Sequence, residues 1–135
     1  MTLGTKQELF MRLLPRLIDK AHELGFEIRG GDLFRDPRFH GEVGRPNVIS
    51  VATQMFSALY AVFKEHGYRP YGHIKSGHKL KIAIDLNLMK DGNLVSTTEG
   101  HRELGEWWEQ QNELCRWGGR FLDGNHYSLE HNGVM

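Results

Sequence analysis

One cysteine in 135 residues excludes a fold stapled by intramolecular disulfides, and the lone thiol of Cys115 suits a reducing compartment. Long apolar runs are missing as well. No stretch approaches the roughly 20 residues needed to span a bilayer, and the N-terminal segment lacks the pattern of a secretory signal. Neither sign of charge is in excess: Lys+Arg and Asp+Glu both total 17, so no global field draws the chain to nucleic acid or to an anionic membrane, although a locally basic groove stays open. Internal repeats and low-complexity segments are absent too. At this length one core and a single domain, residues 1–135, are expected, with no room for a second module.

What is present is periodicity. Thr5-Lys6-Gln7-Glu8 reads as a capping box. It opens a helix whose apolar stripe is Phe10, Leu13, Leu14, Leu17, Ile18 and Ala21 and whose stop is Gly25. Pro15 predicts a kink, or a fresh helix starting near Leu14. Phe26 to Arg29 reads as a short strand ending at Gly30-Gly31, and the charged stretch to Arg38 and residues 40–46 read as loops. A second amphipathic helix is predicted from Asn47 to His66, with Gly67 as its end. Lys90-Asp91-Gly92-Asn93 predicts a hairpin. Thr97 or Thr98 then caps a helix running to about Asn112. Its adjacent Trp107 and Trp108 cannot share one face, so one belongs in the core and the other beside a cleft. His101 and Glu103 read as surface residues of its first turn, and Cys115 as a small buried one. The sum is an α+β fold, helices packed on a small, mainly antiparallel sheet.

The chemistry-bearing residues gather in two stretches. In the first, Ile82, Ile84, Leu86 and Leu88 alternate with Lys81, Ala83, Asp85 and Asn87, so one face of a strand is core and Asp85 stands on the other beside the small Ala83. His78 lies where the chain enters that strand and can converge on Asp85. The second stretch runs from Trp117 to His131. A turn rich in Gly and Asn places Asp123 and His126 at its end, and Gly118-Gly119 lets backbone pass close to a site. In the strand that follows, His126 and His131 point to opposite faces, and Glu130, on the face of His126, is a candidate to orient an imidazole. Two neutral imidazoles and one carboxylate suit a catalytic zinc that keeps a fourth position for water, which leaves Asp123 available as general base.

Ser76-x-His78-x-x-Lys81-x-Ala83-x-Asp85 resembles the SxHxxGxAxD signature of the D-Ala-D-Ala metallopeptidases (peptidase family M15), and Asp123-x-x-His126 resembles their acidic-x-x-His signature. The phage endolysin branch is the most similar. Lys81 departs from the pattern, standing where the family has Gly. The resemblance implies a D-Ala-D-Ala peptidase/hedgehog-like fold with Zn2+ held by His78, Asp85 and His126, Asp123 as the catalytic acid/base, and Arg35, with Arg29 and Arg38 as rivals, polarising the substrate carbonyl. It also implies a monomer acting on the peptidoglycan stem peptide, at the L-Ala–D-Glu bond or, alternatively, at terminal D-Ala. With no nucleic acid or stable membrane partner expected, the protein would accumulate in the host cytoplasm and reach the wall once the membrane is permeabilised. Two readings of other classes stand beside it. One is a metal-dependent nuclease using Lys75, Lys79 and Lys81 for phosphate, and the other is a non-catalytic zinc-stabilised module, which calls for a fourth protein ligand.

Overall fold

The computed structural model describes residues 1–36, 38, 42–46, 51, 57–67, 73 and 75–135. It is a small α+β domain built on antiparallel strands. Helix α1 (Leu3–Glu23) is followed by β1 (Glu27–Gly30), α2 (Ser57–Glu65), β2 (Ala83–Lys90), β3 (Asn93–Leu94), α3 (Arg102–Glu109), β4 (Cys115–Trp117) and β5 (His126–Leu129). Short 3-10 turns cover Gly77–Leu80, Glu99–His101 and Gly118–Phe121. The sheet runs β1-β2-β5-β4, with β3 also on β2. No helix among the described residues is long and apolar enough to cross a membrane.

Strand β2 is the centre of the sheet, and its alternation is the one read from the sequence. Ile82, Ile84, Leu86 and Leu88 are buried against Phe10, Leu13, Leu17 and Ala21 of α1 and Leu104 and Trp108 of α3. Each fully buried Leu or Ile contributes about 1.5–3 kcal/mol, so this one-sided face sets the register. At the β2–β3 turn Asp91 and Gly92 both have positive φ, 50° and 77°, as a tight hairpin requires.

Several expectations change. The helix begins three residues earlier than the capping box implies, because Thr2 is the N-cap and its Oγ1 accepts from the Thr5 N–H at 3.2 Å. Glu8 is exposed and takes no part. Pro15 lies within one continuous helix. The carbonyl that its missing N–H would have reached is that of Met11, which is itself exposed, so water can satisfy the lost bond. The second helix is described from Ser57 to Glu65 and ends at Gly67 with φ +81°; its expected first half, 47–50 and 52–56, lies outside the described residues, as do 39–41 and 68–72. Helix α3 is shorter than predicted, because a 3-10 turn precedes it, and Thr97 Oγ1 accepts from Gly100 N–H there. Trp108 is fully buried and donates to the Ser128 carbonyl at 3.1 Å. Trp107, the other of the pair, flanks no cleft among the described residues: it packs against the edge of the core near Lys20 of α1.

His101 is the largest correction: it is buried, not exposed. Its Nε2 donates to the Val95 carbonyl, which can only accept, so Nδ1 accepts from the Tyr127 hydroxyl at 2.9 Å. Burial, opposed by the Val95 hydrogen bond, lowers its pKa from 6.5. A folded-state pKa below the unfolded one means that the unfolded chain binds the proton first as pH falls. The stabilisation is therefore complete above pH 6.5 and is lost progressively below it. Gln can donate to Val95 and accept from Tyr127 without titrating, so melting temperature between about pH 6.5 and 4.5 is expected to fall less steeply in His101→Gln than in the parent. Equal slopes would show that His101 is not held neutral.

Candidate metal centre

Two limbs of backbone carry the site. The first is the turn Gly77–Leu80, capped by Ser76, whose Oγ accepts from the His78 N–H at 3.3 Å. The turn closes at Lys81 with φ 58° and ψ 35°, a left-handed conformation that costs a non-glycine residue about 1–2 kcal/mol. This chain thus keeps a left-handed residue at the position where the resembled signature has glycine. The Lys81 ammonium lies 4.8 Å from the centre of the Phe34 ring.

The second limb is the loop from Trp117 to His126. Trp117 is gripped between Gly105 of α3 and Gly119, where any side chain would collide with its ring, and its Nε1 donates to the Gly124 carbonyl at 2.7 Å. A side chain at Gly118 would run into the Asp123 carbonyl and the His126 Cβ. Asp123 N–H donates to the Gly118 carbonyl at 3.1 Å, and His126 N–H to the Asp123 carbonyl at 3.2 Å.

Antiparallel pairing of β2 and β5 sets Asp85 directly opposite His126. Asp85 spends its own N–H and carbonyl on Asp32 and Gly31, so toward β5 it forms a non-hydrogen-bonded pair, the kind whose Cα atoms approach to about 4.5 Å. His78 completes the group. His78 Nε2 lies 3.0 Å from Asp85 Oδ1 and 3.2 Å from His126 Nδ1, and His126 Nδ1 lies 3.1 Å from the same Asp85 oxygen. Donors bound to a tetrahedral ion at about 2.0–2.1 Å stand about 3.3 Å apart. The triangle is within a few tenths of an ångström of that spacing, and the three residues can hold a metal ion. Burial opposes ionisation of Asp85, but the hydrogen bonds to His126 and His78 and their positive charge hold its carboxyl well below the usual carboxylate range. Asp85 therefore stays an acceptor, as a metal ligand must.

The triangle faces a cavity of about 490 Å³ that Arg35, Lys75, Phe121 and Asp123 also line. Asp123 is outside the three-ligand group, and its carboxylate makes no hydrogen bond or ion pair among the described residues. Arg35 is mostly buried. It pairs with Asp32 Oδ2 at 3.1 Å and donates to Ser76 Oγ at 3.0 Å, while its N–H donates to the His78 carbonyl. Arg35 thus lines the cavity while its guanidinium is paired with Asp32. Arg29 and Arg38 are exposed and do not line the cavity.

Other expected participants lie elsewhere. Glu130 does not orient an imidazole: it accepts from Gly133 N–H at 2.7 Å and faces Lys6. His131 is outside the cluster, and the exposed His73 lines the cavity without joining it. Lys79 Nζ turns to the Arg45 carbonyl at 3.1 Å. With Lys81 over Phe34, only Lys75 of the three lysines lines the cavity. No fourth protein ligand is present among the described residues. The link from Ser76 to Arg35 was missed in the sequence, because nothing local ties residues 41 positions apart.

No protein-family model matches the chain, and no curated protein matches it. Geometry and the motif spacing together therefore carry the functional reading.

Dialysis against a divalent transition metal is expected to leave one equivalent per chain by elemental analysis and to raise the melting temperature, since a ligand bound only by the folded state stabilises it. His126→Ala is expected to lose both effects. Full metal retention by that variant would remove His126 from the site.

Proposed function

We propose that the chain is a zinc-dependent peptidoglycan peptidase of the D-Ala-D-Ala metallopeptidase family, with that family's fold and a phage endolysin-like role. The observation that carries this is the His78–Asp85–His126 triangle opening on a cavity that also holds an unpartnered carboxylate, Asp123. A purely structural zinc site is closed by four protein ligands, whereas a catalytic one has three and an open position.

Zinc, when bound, supplies a Lewis acid and lowers the pKa of a coordinated water to about 7. Asp123, exposed and unpaired, takes the proton of the attacking water and later returns it to the departing amine. Arg35, fixed by Asp32 and Ser76, donates to the peptide oxygen as negative charge builds there. Asp85 would be the carboxylate ligand beside the two imidazoles and remains ionised throughout.

Internal cleavage between L-Ala and D-Glu is the favoured reaction. A terminal carboxypeptidase needs a cation dedicated to a free carboxylate; of the two described cations that line the cavity, Arg35 already faces Asp32 and Lys75 is exposed to solvent. The resemblance to the endolysin branch points the same way. On this reading the enzyme gathers in the host cytoplasm as a monomer and reaches the wall after the membrane is breached.

Zinc-loaded protein incubated with purified crosslinked peptidoglycan is expected to expose new D-Glu amino termini, read by mass spectrometry. Asp123→Asn is expected to keep its zinc and its fold while losing about 10²–10⁴-fold in turnover. Release of D-Ala alone would establish the carboxypeptidase instead; no released fragment at all would overturn the peptidase reading. Equal loss of zinc and activity in Asp123→Asn would make Asp123 a ligand.

A further inference from the structure

A second cavity, of about 300 Å³, adjoins the first across the ridge Phe121-Leu122-Asp123. Asp123 lines both, Phe121 only the first and Leu122 only the second. The two openings lie on one face of the sheet. Asp85 lines the first and Asn87, two residues further along β2 and so on the same face, lines the second. The backbone of Asn125, another lining residue, is tied to the same strand by the bond from Leu86 N–H to its carbonyl at 2.9 Å.

The lining has a definite chemistry. Asn87, Asn125, Ser96, Thr97 and Thr98 supply amides and hydroxyls, and Asp123 at the shared rim is the one ionised side chain among the described lining residues. His101 lies there too, with both ring nitrogens already engaged. Asn87, Thr98 and Asn125 are half-buried, yet their side-chain polar atoms take no partner among the described residues. Half-buried amides and hydroxyls without protein partners can exchange their water for a ligand's donors and acceptors. With no cation among the described lining residues, a phosphate or carboxylate has nothing there to pair with. Neutral groups that both donate and accept match a ligand that does the same.

The rim adds an apolar component held out at a cost. Leu94 is 55% exposed and Leu122 is 86% exposed. Leu122 also adopts φ 60° and ψ 27°, the left-handed region disfavoured for a branched side chain. Its N–H closes the turn on the Gly119 carbonyl at 3.3 Å while its side chain stays in solvent, and backbone outliers of this kind gather where a ligand is met.

We infer that this second cavity binds a neutral N-acetylated sugar, hydrogen-bonded by the Asn87, Thr98 and Asn125 side chains and with the C–H face of its ring against Leu94 and Leu122. Hydroxyls and an acetamido group provide the paired donors and acceptors, and the volume accommodates one pyranose. The inference rests on the peptidase reading only for the source of the sugar, the glycan strand next to a stem peptide lying in the first cavity.

The test is titration of the whole chain, with and without zinc, with N,N′-diacetylchitobiose, followed by amide chemical shifts. Saturable shifts are expected at residues 87, 94–98 and 122–125 in both forms, with a dissociation constant of about 1–10 mM. Thr98→Val, outside the core, is expected to weaken binding about 5-fold, the worth of one hydrogen bond. Leu122→Gly is expected to raise the melting temperature by relieving the left-handed strain, while also weakening the sugar. Absence of shifts at these residues, or tighter binding of an acetylated dipeptide there, would overturn the inference. So would a fall in melting temperature for Leu122→Gly, because the side chain would then serve the fold. Binding in the zinc-free protein is independent of hydrolysis, so failure of the peptidase reading and failure of this one are separately visible.

Discussion

The pairing of Asp85 with His126 across β2 and β5 is the contact on which the site depends. It is a register property. Because side chains alternate along a strand, a slip of one residue would send Asp85 into the core and replace it on the open face by Ile84 or Leu86. The four apolar residues from Ile82 to Leu88 forbid that slip, since it would expose all of them at once. The hydrophobic face thus holds a carboxylate and an imidazole at ligand distance on the opposite face.

His78 needs a separate support, since it lies on a turn and not in the sheet. The N-terminal part of α1 provides it. Gln7 Nε2 donates to the Leu80 carbonyl at 2.8 Å, at the end of the His78 turn, and the buried Lys6 donates to the Glu130 carbonyl at 2.8 Å, just past the strand that carries His126. Adjacent residues of one helix therefore hold both limbs. Trp117 does the corresponding work for the Asp123 loop, with its ring between two glycines and its N–H on Gly124. Buried hydrogen bonds of this kind cost most when one partner is removed.

Much of this was legible in the residues themselves. Alternation from Lys81 to Leu88 is a local signal, and it identified the strand, its buried face and the place of Asp85 on the opposite one. The spacing of Ser76, His78, Asp85, Asp123 and His126 singled out the residues that the structure brings to one cavity. What was misread depends on distant partners. His101 has the look of a helix's first turn, and only Tyr127, 26 residues away, explains its burial. Glu130 has the position of a residue orienting a ligand, but Lys6, 124 residues away, and the Gly133 turn claim it. Thr2 displaced Thr5 as the cap because helix starts are decided by competition between neighbouring hydroxyls, which propensity leaves nearly level.

The central claim is that two imidazoles and one carboxylate hold a metal whose remaining position is open. X-ray absorption at the zinc edge of the loaded protein reads the coordination directly. The account predicts four light-atom ligands at about 2.0–2.1 Å, two of them showing the outer scattering of imidazole and none of them sulfur. A single imidazole, a third imidazole or any sulfur ligand would contradict it.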